Sequence, residues 1–502
     1  MADYIDKVNF YNEGGGIQKS VPIKDSDTAA SVASLTKKVS TNTTNIASMR
    51  YSVTDFGVPN DGSRDVSDDI NALLAKYHYL FFPAGTYKFS KPISYTGNCS
   101  ITGAGKNVSL LVFTSGGINL TFTGQEYYGD NAAISDISIL SNASNASGIE
   151  INGGSTLTDR VTIRPLIKNV DIGTLNTPGS GTGFRNGIKL VNCNGSVIDS
   201  CSIYGGENSV SGIMIDSYQN NIAPTEFMIT NCKISHFSTS ISMSNSGGNN
   251  PEGLVVTSCM LLAADTNILW NSPTLTDHLF VNNSHLSAHN ANLNISNIAQ
   301  FVINDNLCYV DSTGTCNILV GNECYGGNIC GNIMEIIGGT SSIYHVVVDG
   351  RNVNITSNYF GRGNSINFKS SSNHCIENNN NYEDDYNVSD NGRENFISEG
   401  DINVSLATGV GGQGFMQSFR NQNGIYLQGA VICESAKNEG DLILSFDAKC
   451  STKHLVNIMV PSSNGTEQAT VTYRNNSVTS ASSIAAGTIL IFNLFIPYTF
   501  VD

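Results

Sequence analysis

The sequence is short of charge, proline and tryptophan. Lys, Arg, Asp and Glu make up 14% of its 502 residues, with 11 prolines and a single tryptophan. An apolar content of 40%, arranged in short runs, excludes a disordered chain. No run reaches the ~20 residues of a membrane span, so no membrane insertion is expected. The first residues carry no basic segment followed by an apolar stretch, so no secretory leader is expected.

Basic patches are missing as well. The formal charge is −16. A nucleic-acid partner requires clustered Lys and Arg, so no nucleic acid is expected. The same charge disfavours a strongly anionic substrate and suits a neutral or weakly charged glycan. Twelve cysteines show no CxxC pair, and no histidines sit at zinc spacing. They read as reduced, buried thiols of a protein made in a cytosol, with disulfides formed later as the alternative. Neither a metal nor a cofactor is expected.

What is abundant is glycine, 49 residues, together with asparagine and serine. This composition reads as many short strands joined by many tight turns. Near the start, Val32, Leu35, Val39, Ile46 and Met49 follow heptad-like steps within 26–50. A short coiled coil is one reading of this window; a plain amphipathic helix or linker is the other.

Residues 51–105 hold the most specific local pattern. Asp55-Phe56-Gly57 and Asn60-Asp61-Gly62 are turn chemistry around a short strand. Ser67-Asp68-Asp69 offers a helix N-cap with acids in the first turn. Ile70, Leu73, Leu74 and Tyr77 then form one helical face. Leu80-Phe81-Phe82 is a strand, Pro83-Ala84-Gly85-Thr86-Tyr87 a turn, and Ile101 to Gly105 a strand ending in a Gly turn.

This segment resembles the N-terminal signature of the pectate-lyase-like superfamily. With a helical stem before it, it is similar to phage tailspikes and capsule depolymerases. The resemblance implies a right-handed parallel β-helix whose first coil is capped by the short helix. Such a cap covers an otherwise unpaired sheet edge.

The chain then repeats to about residue 382. VIDSCSI, MITNCKI, VVTSCML, FVNNSHL, VINDNLC and NITSNYF share one texture, centred on Cys201, Cys232, Cys259, Ser284, Asn306 and Asn358. Their separations are 31, 27, 25, 22 and 52, the last being two steps of 26. A drifting period in the twenties signals a solenoid with one coil per repeat. Stacked ~4.8 Å apart, equivalent positions lie above one another. Cys201, Cys232 and Cys259 should form an interior column, and asparagines at the bend a hydrogen-bonded ladder.

After residue 383 the texture becomes polar and turn-rich. Strand candidates then return at 424–433, 441–446, 456–460, 469–474 and 489–496. The expected organisation is a stem at 1–50, a β-helix at 51–395 with its cap at 51–105, and a β-sandwich-like module at 396–502. The resemblance implies tail or baseplate attachment for the stem, and trimerisation or glycan contact for the module.

Glycoside hydrolysis uses paired carboxylates, and adjacent coils can supply them. Glu252 follows the polar insertion SNSGGNNP, and Asp277 lies 25 residues later, one local repeat. They are expected to stack. Asp216, at the end of an earlier strand, is a third candidate. Asp265, Glu323, Glu335, Asp349 and the Asp384-Asp385 pair compete. Each acid alone also reads as a solvated turn residue. Trp270 and Tyr218 are candidate sugar platforms, with core packing as the alternative for Trp270. The GHG and RIK motifs of the related polygalacturonases are absent, which speaks against that activity. No cluster of acids with a basic partner marks a calcium-dependent lyase, although Arg351 and Arg362 exist.

Three functions follow as expectations. One is a tailspike that binds and hydrolyses a bacterial surface polysaccharide. The others are a lyase on the same scaffold and a non-catalytic glycan-binding spike. The resemblance further implies a homotrimer, attached to a phage tail and carried in the virion after assembly in the host cytoplasm.

Overall fold

The computed structural model describes residues 7–11, 17–22, 31–38, 51–122, 132–154, 163–218, 224–247, 249–338, 342–383, 387–393, 395–397, 404–412, 417–421, 424–446, 454–462, 465–474 and 477–497. From Tyr51 to Ile397 the chain winds as a right-handed parallel β-helix, each coil pairing in parallel with its neighbours. Every coil passes through three sheets, here I, II and III. Around the middle of the solenoid, Thr225–Thr230 lies in sheet I, Lys233–Ser235 in sheet II and Thr239–Asn245 in sheet III. Their partners in the preceding coil are Val197–Asp199, Ser202–Tyr204 and Ser211–Ser217.

Stacking dictates the core. In sheet I, Leu80, Ile101, Ile134, Ile167, Ile198, Ile229, Val256, Val281, Ile303, Ile329 and Ile355 pair in one register and are buried. Burying each such side chain stabilises by about 1.5–3 kcal/mol relative to exposure. Sheet III supplies a facing column that includes Ile149, Ile188, Ile213, Ile241 and Ile268.

The bend from sheet I to sheet II uses the left-handed backbone region. Asn169, Ser200, Asn231, Ser258, Asn283, Asp305, Gly331, Ser357 and Asn379 all have φ near +60°. Asn, Asp, Ser and Gly tolerate this conformation better than bulky residues. The next residue in each coil is buried in the interior. In order these are Val170, Cys201, Cys232, Cys259, Ser284, Asn306, Asn332, Asn358 and Asn380. The thiol column expected from the repeats is present. Burial pushes thiols elsewhere in the core, at Cys193 and Cys308, up to about 12.

The asparagine ladder is present too. The Ser284, Asn306, Asn332 and Asn358 amides donate to Oδ1 of Asn306, Asn332, Asn358 and Asn380 at 2.9–3.0 Å. A second buried ladder runs along sheet III. Ser240 donates to Asn267, Asn267 to Asn292, and Asn292 to Asn317. Asn317 Nδ2 then meets His345 Nδ1 at 2.9 Å, and His345 Nε2 meets the Gly361 carbonyl at 3.2 Å. His345 therefore accepts on one ring nitrogen and donates from the other, which suits the neutral ring.

At the N-terminal end, the helix Ser67–Tyr77 packs Ile70 and Leu74 over the first coils. Its amide cap differs from the expected one. Ser67 is the first helical residue rather than the N-cap, Val66 takes the N-cap position, and Asp65 accepts the Ser67 amide at 3.0 Å. Hydrogen bonds from Ser67 and Ser90 hold the Asp65 carboxyl well below its ordinary range. Ser67 instead accepts the Ser90 and Lys91 amides of the next coil. In the turn before Tyr87, a Cβ on Gly85 would run into the Asn60 backbone, so glycine is required there.

Before the solenoid, Lys7–Tyr11 pairs antiparallel with Ile17–Pro22, and residues 31–38 are helical with Leu35 exposed. The rest of the expected heptad seam lies outside the described residues. After it, strands between Val404 and Pro497 form a nine-stranded antiparallel sheet, with Gly424–Cys433 and Thr488–Pro497 its longest pair.

Two outcomes are expected. Asn332→Ala strands the Asn306 amide and deletes the Asn332 side-chain bonds, costing about 1–3 kcal/mol and lowering the thermal unfolding midpoint. Burial lowers His345 from 6.5 to about 4. The unfolded chain therefore takes up its proton first as pH falls. The stability from neutral His345 is complete above about 6.5 and declines toward pH 4, by up to about 3 kcal/mol. A His345→Gln variant should show a flatter unfolding midpoint across that window; an unchanged slope would refute this.

Candidate functional site

Glu252 and Asp277 are register neighbours on sheet I. Leu254 pairs with Leu279, and Thr276 Oγ1 donates to the Pro251 carbonyl at 2.8 Å, which brings 252 and 277 side by side. Both are partly exposed. Each precedes a left-handed residue, Gly253 and His278, where the chain turns into the sheet. No cation pairs with either acid among the described residues.

Asp216 is not with them. It is the penultimate residue of the sheet III strand Ser211–Ser217 and is 5% exposed. Its Oδ1 accepts the Ser244 hydroxyl at 2.9 Å and the Ser246 amide at 3.0 Å. These bonds tie the turn after Asn245 to the coil below. Tyr218 lies just beyond Asp216 with 45% of its surface exposed. Asn192 holds its backbone on both sides, at 2.8 and 2.9 Å. Trp270 is 1% exposed and stacks in the core between Met243 and Ile295. Its ring cannot serve as a sugar platform, because the alternation of the sheet III strand turns it inward.

A groove of about 720 Å³ opens on the outer face of sheet III. Its floor is one outward column, Glu150, Lys189, Met214, Ser242 and Leu269, paired coil to coil. Arg185 flanks it on one side, and Asp216 with Ser244 and Ser246 on the other. Lys189 Nζ contacts Glu150 Oε1 at 3.0 Å. Both are partly exposed, so this pair is worth at most about 1 kcal/mol. Arg185 is exposed and makes no ion pair among the described residues. Two cations and two acids thus balance locally in a chain of charge −16. Hydroxyls, an amide-rich rim and small apolar patches complete a surface suited to a polyhydroxylated chain.

Of the acids singled out from sequence, Asp216 lines this groove; Glu252 and Asp277 do not. Glu150, Arg185 and Lys189 were missed. A second repeat carried the signal: Gly148-Ile149-Glu150-Ile151, Gly187-Ile188-Lys189-Leu190 and Gly212-Ile213-Met214-Ile215. The third residue of each points outward.

Comparison with known proteins bears on the fold. The family model described as rhamnogalacturonase A/epimerase, pectate lyase-like, matches residues 51–262. No protein of curated function matches the sequence. Among solved structures, the Dettilon tailspike protein (gp208) is similar with a TM-score of 0.53. Identity is 12%, over 88% of this chain and 94% of that one. The N-terminal fragment of the bacteriophage phi29 gene product 12 aligns with a TM-score of 0.49 and 14% identity, over 69% of each chain. The tailspike gp49 from Pseudomonas phage LKA1 aligns with a TM-score of 0.45 and 11% identity, over 89% of this chain and 100% of that one. The fold is thus a right-handed parallel β-helix, matched over residues 51–262 by a pectate lyase-like family model and similar in fold to the Dettilon tailspike protein.

The single tryptophan gives a direct check of the site. Trp270 emission should be blue-shifted, resist iodide quenching, and stay unchanged when glycan is added. Strong quenching of the native protein would place the ring at the surface.

Proposed function

We propose that this chain is a phage tailspike that binds a bacterial surface polysaccharide and cleaves it internally by hydrolysis. The observation that carries the reading is the groove on sheet III. It runs across consecutive coils, so it follows the axis of a polymer, and it offers hydrogen-bonding groups with balanced charge. Paired carboxylates supply the chemistry, one as acid and one as base or nucleophile. Glu252 with Asp277 is the pair read from sequence, and Asp216 is the acid that also lines the groove. Tyr218, exposed beyond Asp216, is the aromatic available to a sugar face. The protein works without metal or cofactor in this reading.

A homotrimer, attached to the tail through its N-terminal segment, is part of the same proposal. An outward apolar rib on sheet I supports it. Leu166, Val197, Met228, Val255, Phe280 and Val302 pair coil to coil along the outside of the solenoid. Leu166 and Met228 are 43% and 45% exposed. A continuous apolar rib of this kind calls for a partner surface.

The test incubates the full chain with a panel of purified capsular polysaccharides and lipopolysaccharides. Size-exclusion chromatography then follows chain length, with reducing ends assayed alongside. Shortening with new reducing ends is expected for one member of the panel. An unsaturated uronate product would instead show a lyase, and binding without shortening would show a passive spike. Asp216→Ala should weaken binding to the shortened glycan about tenfold or more, as loss of one charged hydrogen-bonding group does. Light scattering should give three times the chain mass; a monomer at micromolar concentration would refute the trimer.

A further inference from the structure

Sheet II carries a second carboxylate pair, built differently from Glu252 and Asp277. Glu335 and Glu383 stand two coils apart, with Gly361 on the coil between them. The register runs from Met334 to Phe360 to Tyr382, so the residue after each, 335, 361 and 383, forms one outward column. Both carboxyls lean onto the middle coil. Glu335 sits where a Cβ on residue 361 would be, so any side chain there would displace it. Glu383 reaches back to the same coil: Tyr359 Oη donates to its Oε2 at 3.3 Å, and Arg362 Nε lies 3.6 Å from its Oε1.

The two acids have unlike surroundings. Glu383 has a guanidinium and a phenol beside it, those of Arg362 and Tyr359. Burial raises the pKa of Glu335, and the charge on Glu383 raises it further, against the opposing effect of Arg362. Glu335, whose surroundings favour its proton, suits the role of proton donor, and Glu383, held by Arg362 and Tyr359, that of base.

The backbone beneath them is braced from inside. Asn317 Nδ2 donates to the Glu335 carbonyl at 3.2 Å, and His345 Nε2 meets the Gly361 carbonyl at 3.2 Å. Asn317 and His345 are fully buried members of the sheet III ladder. The ladder therefore holds two coils of the pair at a fixed spacing, while the carboxyls remain open to solvent. No cation pairs with Glu252 or Asp277 among the described residues.

We propose that Glu335 and Glu383 are the acid–base pair that hydrolyses the glycosidic bond, with Arg362 and Tyr359 positioning Glu383. This rests on the reading of the chain as a polysaccharide hydrolase. Glu335 gives its proton to the glycosidic oxygen as the bond from that oxygen to the anomeric carbon breaks. A water molecule attacks the anomeric carbon and passes a proton to Glu383. One water is consumed, two sugar ends are released, and proton exchange with solvent resets the pair. The substrate is a polymer of neutral or weakly charged sugars whose scissile bond lies across the coils of sheet II, while another stretch of the same polymer occupies the groove on sheet III.

The experiment uses the full chain and the panel polysaccharide that the wild type shortens. Glu335→Gln and Glu383→Gln keep side-chain shape, and unchanged thermal midpoints would establish that both fold. Each should lower the cleavage rate about 100-fold or more, while affinity for the uncleaved polymer stays near wild type. Glu383→Ala should regain part of its rate with added azide, which takes the place of the attacking water; a merely structural role would show no such rescue. Glu252→Gln and Asp277→Asn run in parallel. Normal cleavage by both Glu335→Gln and Glu383→Gln would overturn the assignment and leave the depolymerase reading standing. If the wild type shortens no polymer, the reading falls and the assignment falls with it.

Discussion

Coil-on-coil register is the constraint from which the rest of the structure follows. Each residue of a parallel coil hydrogen-bonds into the same position of the next, ~4.8 Å away. A residue type that suits the interior once is therefore repeated, and any misfit is felt by two neighbours. The apolar columns of sheets I and III are the simplest result. The left-handed bend is a stricter one. It must recur at each coil, so the positions from Asn169 to Asn379 are confined to small or polar residues that accept positive φ.

The same constraint places function. An outward position is free to vary in chemistry but not in location. Glu150, Lys189, Met214, Ser242 and Leu269 occupy one such column, so the groove floor is a line of five different side chains at fixed spacing. The ladder Asn267–Asn292–Asn317–His345 works on the other side of the wall. Buried amides fix the coil spacing more tightly than apolar packing does, because a misplaced amide would be left unsatisfied. The ladder lies behind the backbone of Glu335 and Gly361, where the Glu335 and Glu383 side chains lean onto one coil from either side.

This explains what could be read in the sequence. The bend was legible because positive φ and an inward small residue leave a compositional trace at every coil; the Cys and Asn centres were found by that trace. Asn332 escaped because its coil was seen only as half of a double step. The cap was legible from its turn residues, though not the role of Asp65, which depends on a hydrogen bond to Ser90 in the next coil. The groove was harder to see. Its floor residues share a position and no chemistry, so only the inward Gly-Ile frame around Glu150, Lys189 and Met214 betrays them. Trp270 was ambiguous because facing is set by strand parity. Glu383 was hidden in a polar stretch that reads as a boundary, although it still lies in the register of Glu335.

The end of the solenoid shows the constraint acting once more. Along the bend ladder each Asn side chain spends its Nδ2 protons on a carbonyl of the preceding coil and on Oδ1 of the next Asn. Asn332 bonds Ile303 and Asn358 in this way, and Asn358 bonds Ile329 and Asn380. Asn380 bonds Ile355 but has no further ladder asparagine among the described residues. Its second proton goes to Glu377 Oε1 at 2.9 Å, and the Tyr382 hydroxyl reaches the same oxygen at 2.7 Å. Glu377 occupies the sheet I column position that Ile355 and Ile329 fill in earlier coils, and it is fully buried. A carboxyl in that place would be costly without donors. Here the ladder's last donor and the carboxyl satisfy each other. The break in the apolar column at Glu377 and the end of the ladder at Asn380 thus arise together, three residues apart, as two sides of one termination.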